Sequence, residues 1–207
     1  KHAIWDELGL MTVRSFIKER LTSFGSLEEH PFQEVADKGV NLILKLPGQN
    51  PKLDPLLVGA HYDGPLESIG ADDNASGVTA LLELGRRWSK EPLKRPVWLI
   101  AFDQEEWGML GSKALARELK ANKQKLKLMI SLEMIAYTSQ TQNYPAIGMK
   151  PIYGEKGDFI ALVANTRASP MLIGLGASMR KYLPTRVLPV PMAGELKSAV
   201  RLSNHSP

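Results

Sequence analysis

The sequence predicts a three-layer α/β fold with a mostly parallel, mixed central sheet. Short apolar runs at residues 56–60, 97–102 and 126–135 have the length and composition of buried strands. Stretches with helical spacing at residues 76–89 and 109–121 separate them, and such alternation builds a parallel sheet covered on both faces. At 207 residues and 43% hydrophobic content, the chain can fill the core of one ordinary domain, taken here as 1–207.

Each element has its own signal. Trp5, Leu8, Leu10, Val13, Phe16, Ile17 and Leu21 recur at helical spacing, so residues 5–24 form an amphipathic helix that Gly25-Ser26 ends. Residues 32–35 and 40–46 read as strands, followed by a strong turn at 47–51. The strand at 56–60 leads into a loop, 62–74, and then the helix at 76–89. The strand at 97–102 runs into an acidic turn before the helix at 109–121. Residues 137–158 are polar and rich in Gly, Gln and Pro, which predicts an irregular insertion. A strand at 159–163, a helix at 170–182 and a strand at 187–190 complete the pattern.

Composition excludes several kinds of chemistry. With no cysteine there is no disulfide, no thiol nucleophile, no iron–sulfur cluster and no thiolate zinc site. A transition metal must be held by carboxylates and by some of the four histidines. The longest apolar stretch, 96–102, is too short to span a bilayer. A net charge of +4 is modest for a nucleic-acid binder, so no nucleic-acid partner is expected. Lys113, Arg117, Lys120, Lys123, Lys125 and Lys127 read as a solvated helix face and the loop after it.

In open α/β sheets, sites form at the carboxyl ends of the strands. Three strand ends here carry polar residues. Residues 56–60 run into His61-Tyr62-Asp63, with Gly70-Ala71-Asp72-Asp73-Asn74-Ala75-Ser76-Gly77 further on. Residues 97–102 run into Asp103-Gln104-Glu105-Glu106. Glu133 interrupts the apolar strand at 126–135. Taken singly, each has a plain structural reading. His61 and Asp63 would be a hydrogen-bonded pair, Asp72-Asp73-Asn74 a helix cap, and Glu105-Glu106 a solvated first helical turn. A carboxylate in a buried strand is harder to dismiss, because it must be paired or bound to a cation. One histidine and several acids converging on one sheet edge point to a dication. Histidine and carboxylate ligands suit a hydrolytic zinc site, with Asp63 orienting the His61 ring.

His61-Tyr62-Asp63, Gly70 to Gly77, Glu105-Glu106-x-Gly108-x-x-Gly111-Ser112 and Leu132-Glu133-Met134-Ile135 occur in an order and spacing that resembles the co-catalytic di-zinc aminopeptidase family. That family also contains glutamate carboxypeptidases, glutaminyl cyclases and the transferrin-receptor ectodomain. The resemblance begins near Gly39-Val40-Asn41-Leu42-Ile43 and runs to the end of the chain. It implies a zinc-exopeptidase-like fold and two zinc ions per complete domain. His61 and Glu133 would be ligands of the first zinc, Asp73 the bridging carboxylate, Glu106 a ligand of the second zinc, and Glu105 the general base.

Two positions depart from the family pattern. Glu133 stands where the family usually has Asp, and it is kept as a ligand. Ser203-Asn204-His205 resembles a Ser-Asp-His motif that precedes the family's last histidine ligand. The expectation is therefore a chain truncated at its C-terminus, with that ligand beyond Pro207, and one zinc or none held by this segment. Asn204 and His205 are possible pocket residues, and His205 is the one late candidate for the missing ligand. The resemblance implies a peptide substrate, with an aminopeptidase as the leading activity. A glutaminyl-peptide cyclase and a non-catalytic binding domain are the alternatives. It also favours a periplasmic or secreted location and leaves the oligomeric state open.

Overall fold

A computed structural model describes residues 7–34, 37–65, 68–144, 149–165 and 167–189. These group into two compact units, one ending at Ile135 and the other starting at Ala136.

The first unit is built on a five-stranded mixed sheet in the order β1-β2-β4-β3-β5. Its strands are β1 (Leu27–Glu34), β2 (Asp37–Leu46), β3 (Leu56–His61), β4 (Val97–Phe102) and β5 (Leu128–Ser131). β4, β3 and β5 are parallel, with His61 opposite Phe102 and Gly59 opposite Ser131. β1 and β2 are antiparallel to each other, and β2 is antiparallel to β4. The expected α/β class holds, and the parallel strands are the ones that carry the polar strand ends.

Strand alternation sorts the core into two layers. Leu42, Leu44, Val58, Ala60, Leu99 and Ala101 face one side, where they meet Leu10, Ile17 and Leu21 of helix α1 (Glu7–Thr22) and Val78 and Leu81 of α2 (Gly77–Trp88). Ile43, Leu57, Ile100 and Phe102 face the other, where Leu115 of α3 (Leu110–Ala121) covers them. Each fully buried Leu, Ile or Phe contributes about 1.5–3 kcal/mol, so these two layers fix the strand register and with it the position of every strand end.

Two boundaries differ from expectation in informative ways. β1 begins at Leu27, five residues before the sequence signal. Glu28 and Glu29 are exposed on it and leave no alternation to read. β5 stops at Ser131, so Glu133 lies on the loop after the strand and not inside it. β5 is the edge strand of this sheet and only half-buried, so its apolar pattern runs past the end of pairing.

The second unit pairs β6 (Ile160–Ala164) and β7 (Thr185–Pro189) in parallel, with α5 (Ser169–Met179) between them in sequence. Among the described residues, the polar segment before β6 holds a short helix, α4 (Lys150–Tyr153), and a bridge between Ser139 and Gly157. No described helix is long and apolar enough to cross a membrane.

Candidate metal centre

His61 ends β3, the middle strand of the parallel trio, and is 1% exposed. Its Nδ1 lies 3.0 Å from the backbone oxygen of Asp63. A carbonyl oxygen only accepts, so Nδ1 carries the hydrogen and Nε2 points the other way. On that side stand Asp73 Oδ1 at 3.2 Å and Glu133 Oε1 at 3.0 Å. Asp73 comes from the wound, irregular turn Ala71–Ser76, in which Asp73 and Asn74 leave helical φ/ψ and are joined by a cis peptide bond. Glu133 comes from the loop after β5.

Glu105 and Glu106 arrive from β4. The turn between β4 and α3 is closed by Gly111 N donating to Asp103 O and Leu110 N to Gln104 O. The Asp63 carboxylate clamps it further, taking the backbone N–H of Glu105 and of Glu106 at 3.0 Å each. Asp63 therefore does more than orient His61: its carbonyl sets the ring and its side chain sets both glutamates. Asp63 Oδ1 is also 3.4 Å from Nδ1 of His61.

Two groups of donor atoms are close enough to share an ion, His61–Asp73–Glu133 and His61–Glu105–Glu106, both centred on His61. Of the residues singled out in the sequence, His61, Asp63, Asp73, Glu105, Glu106 and Glu133 come together here. Asn204 and His205 lie outside the described residues.

The electrostatics follow from crowding. Burial, reinforced by Glu133, Asp63 and Glu106 against an opposing effect of His61, pushes the Glu105 carboxyl up to about 8. Burial and the nearby Asp73 push Glu106 up to about 7. At His61, burial opposes the charged imidazole. Hydrogen bonds to Asp63, Asp73 and Glu133 outweigh it and raise the pKa above the ordinary histidine range.

This donor set fits a zinc ion. Neutral His61 with its hydrogen on Nδ1 presents a lone pair to two carboxylate oxygens, and three acceptors facing one another need a cation or a proton between them. Glu133 Oε2 is buried with no protein partner. Histidine and carboxylates without thiolate match a catalytic zinc site of three protein ligands.

Sequence reasoning missed the residues that hold the site's backbone. Buried Asn41, on β2, accepts from Asp103 N at 3.0 Å and donates to Gly111 O at 2.9 Å, bracing both ends of the glutamate turn. A Cβ on Gly111 would sit 2.3 Å from Asn41 Oδ1, which explains a glycine there. Arg14 of α1 donates to the Tyr62 hydroxyl and to Asp103 Oδ2, both at 2.7 Å. An asparagine inside an apolar strand is a readable signal, because Asn is depleted in strands.

Comparison with known proteins places the chain among relatives of known fold. Protein YfbL of Escherichia coli is 40% identical over 121 residues, which cover 52% of this chain and 38% of that one. Aminopeptidase YwaD of Bacillus subtilis is 44% identical over 59 residues, 28% of this chain and 13% of that one. Among solved structures, the LapA aminopeptidase of Legionella pneumophila superposes with a TM-score of 0.69 at 16% identity, over 96% of this chain and 51% of that one. A glutaminyl cyclase from an Acidobacteriales bacterium gives 0.65 at 17% identity, over 87% and 71%. The chain thus spans about half the length of LapA and less of its curated relatives. The pattern of peptidase family M28 matches residues 41–171, well over half the chain, and takes in His61, Asp73, Glu105, Glu106 and Glu133. The chain belongs to peptidase family M28.

Proposed function

We propose that this chain carries the catalytic centre of a zinc-dependent exopeptidase, most simply an aminopeptidase that removes N-terminal residues from peptides. The observation that carries the reading is the convergence of Asp73 and Glu133 on Nε2 of His61, beside a buried Glu105. His61, Asp73 and Glu133 would hold one zinc, and Glu106, with Asp73, a second. Bound there, zinc supplies a Lewis acid for the scissile carbonyl and lowers the pKa of water toward neutrality.

The chain's own residues do the rest. Glu105, with its proton affinity raised to about 8, is matched to proton transfer near neutral pH. It takes a proton from the attacking water as the oxygen bonds to the carbonyl carbon. It then delivers that proton to the leaving nitrogen as the C–N bond breaks. Asp63 holds both the His61 ring and the Glu105–Glu106 backbone, so base and ligands keep a fixed relation.

A glutaminyl cyclase is the second reading, favoured by the larger share of a solved cyclase that the chain covers, 71%. The two differ in product. The test incubates the zinc-loaded chain with short peptides bearing a free amino terminus, including one that starts with Gln. Release of free amino acids supports the peptidase, whereas pyroglutamate without release supports the cyclase. A chain that takes up no zinc overturns both.

A further inference from the structure

Asn74 is fully buried beside Asp73, and its side chain bonds the backbone of the Glu133 loop. Its Nδ2 donates to the backbone oxygen of Leu132 at 2.9 Å. Its Oδ1 accepts from Met134 N at 3.3 Å and from Gly77 N at 3.1 Å. Leu132 and Met134 are the two neighbours of Glu133. One amide thus bonds the backbone on either side of Glu133 while capping the first residue of α2.

β5 ends at Ser131, and the sheet's last bond in this direction is Leu132 N donating to Gly59 O at 2.8 Å. Beyond it, Ile135 N donates to Ser76 Oγ at 3.1 Å, and Ser76 in turn donates to Asp72 O. Met134 adopts φ +46, and the backbone bends there, just after Glu133. Gly77 completes the arrangement: a Cβ there would lie 2.4 Å from Asn74 Oδ1 and 2.6 Å from Leu132 O. The packing leaves room for the amide and for nothing on the glycine.

We infer that Asn74 is a positioning residue that sets the separation of Asp73 and Glu133, and thereby preorganises the metal cluster around His61. Asp73 is joined to Asn74 through the peptide, and Glu133 is held by that residue's amide, so one side chain couples both carboxylates. Only an amide of this length does so. Aspartate lacks the donor for Leu132 O, and serine reaches the Gly77 N–H without spanning to the loop.

The inference rests on the zinc reading above, and the experiment separates the two. Zinc affinity of the purified full chain is measured by competition with a chromophoric chelator, for the wild type, Asn74→Ser and Ser76→Ala. Circular dichroism under the same conditions checks folding. Asn74→Ser keeps an oxygen for the helix start, so a residue that only capped α2 would leave zinc affinity unchanged in the folded variant. A positioning residue predicts binding weaker by about 10–100-fold, the range for groups that orient metal ligands. Ser76→Ala, which frees the Ile135 N–H and the Asp72 carbonyl, should weaken it in the same direction by a smaller factor. If Asn74→Ser does not fold, Ser76→Ala decides: weakened binding supports the inference and unchanged binding overturns it. Wild-type affinity in folded Asn74→Ser also overturns it. No zinc uptake by the wild type removes the zinc reading on which it stands.

Discussion

Glu105 and Glu106 are sequence neighbours in different surroundings, and this decides what each can do. Glu105 is 9% exposed, whereas Glu106 is exposed to solvent. Burial pushes the Glu105 carboxyl up to about 8, which suits a group that takes up a proton near neutral pH and gives it back. Glu105→Gln keeps size and polarity and removes the proton acceptor. It should retain zinc and lose about 10²–10⁴-fold in turnover, measured as kcat alongside metal content. Near-normal turnover in a zinc-loaded Glu105→Gln would assign the base to another group. The strand-end positions of these residues were legible because strands at 56–60 and 97–102 announce themselves by apolar runs and end where the polarity changes. The environment of Glu133 was not legible. The apolar pattern of Met129 and Ile130 continues through Leu132 and Ile135, beyond the last paired residue Ser131, so the sequence could not mark where the sheet lets go.

At the scale of elements, the site is held by side chains that reach between elements. Asn41 on β2 bonds Asp103 N, Gly111 O and His30 Nδ1, tying β2 to the β4–α3 turn and to β1. His30 continues to Glu118 of α3 at 3.0 Å. Asn41→Ala would strand several buried polar groups at once, each costing about 1–3 kcal/mol. The expected result is a loss of about 3 kcal/mol or more in urea unfolding, together with a misplaced Glu105. A loss below about 1 kcal/mol would mean that water or a shifted backbone takes over these bonds. The extent of β4 and the site-bearing end of β3 were readable, because their core alternation coincides with their pairing. β1 was cut short because its first residues expose Glu28 and Glu29 at the sheet edge. The irregular turn at Ala71–Ser76 read as a plain loop and cap because its order comes from Leu132, Met134 and Ile135, about sixty residues away.

For the whole molecule, concentrating acids around one histidine makes metal and proton compete for the same fold. Without a cation, partial burial and the neighbouring carboxylates raise Glu105 to about 8 and Glu106 to about 7, from an ordinary 4.5. Between about 4.5 and about 8 the folded state then binds more protons than the unfolded one, so stability falls as pH rises through that window. His61 acts with the same sign. Its folded pKa is raised above 6.5, so the stability it gives is fully present below 6.5 and is lost as pH climbs above that value. Zinc binds the deprotonated donors, so its stabilisation grows with pH over the same range. The melting temperature of chelator-treated protein should therefore decline from pH 5 to pH 8, while zinc-loaded protein stays level or rises. The gap between the curves should be widest near pH 8. Glu105→Gln removes one of the competing groups, and its chelator-treated curve should be flatter than that of the wild type. Thermal unfolding at several pH values, with chelator and with zinc, measures both slopes. Parallel curves would show that zinc does not bind at this cluster, because an ion held there must displace the protons that otherwise hold its acids and His61 together.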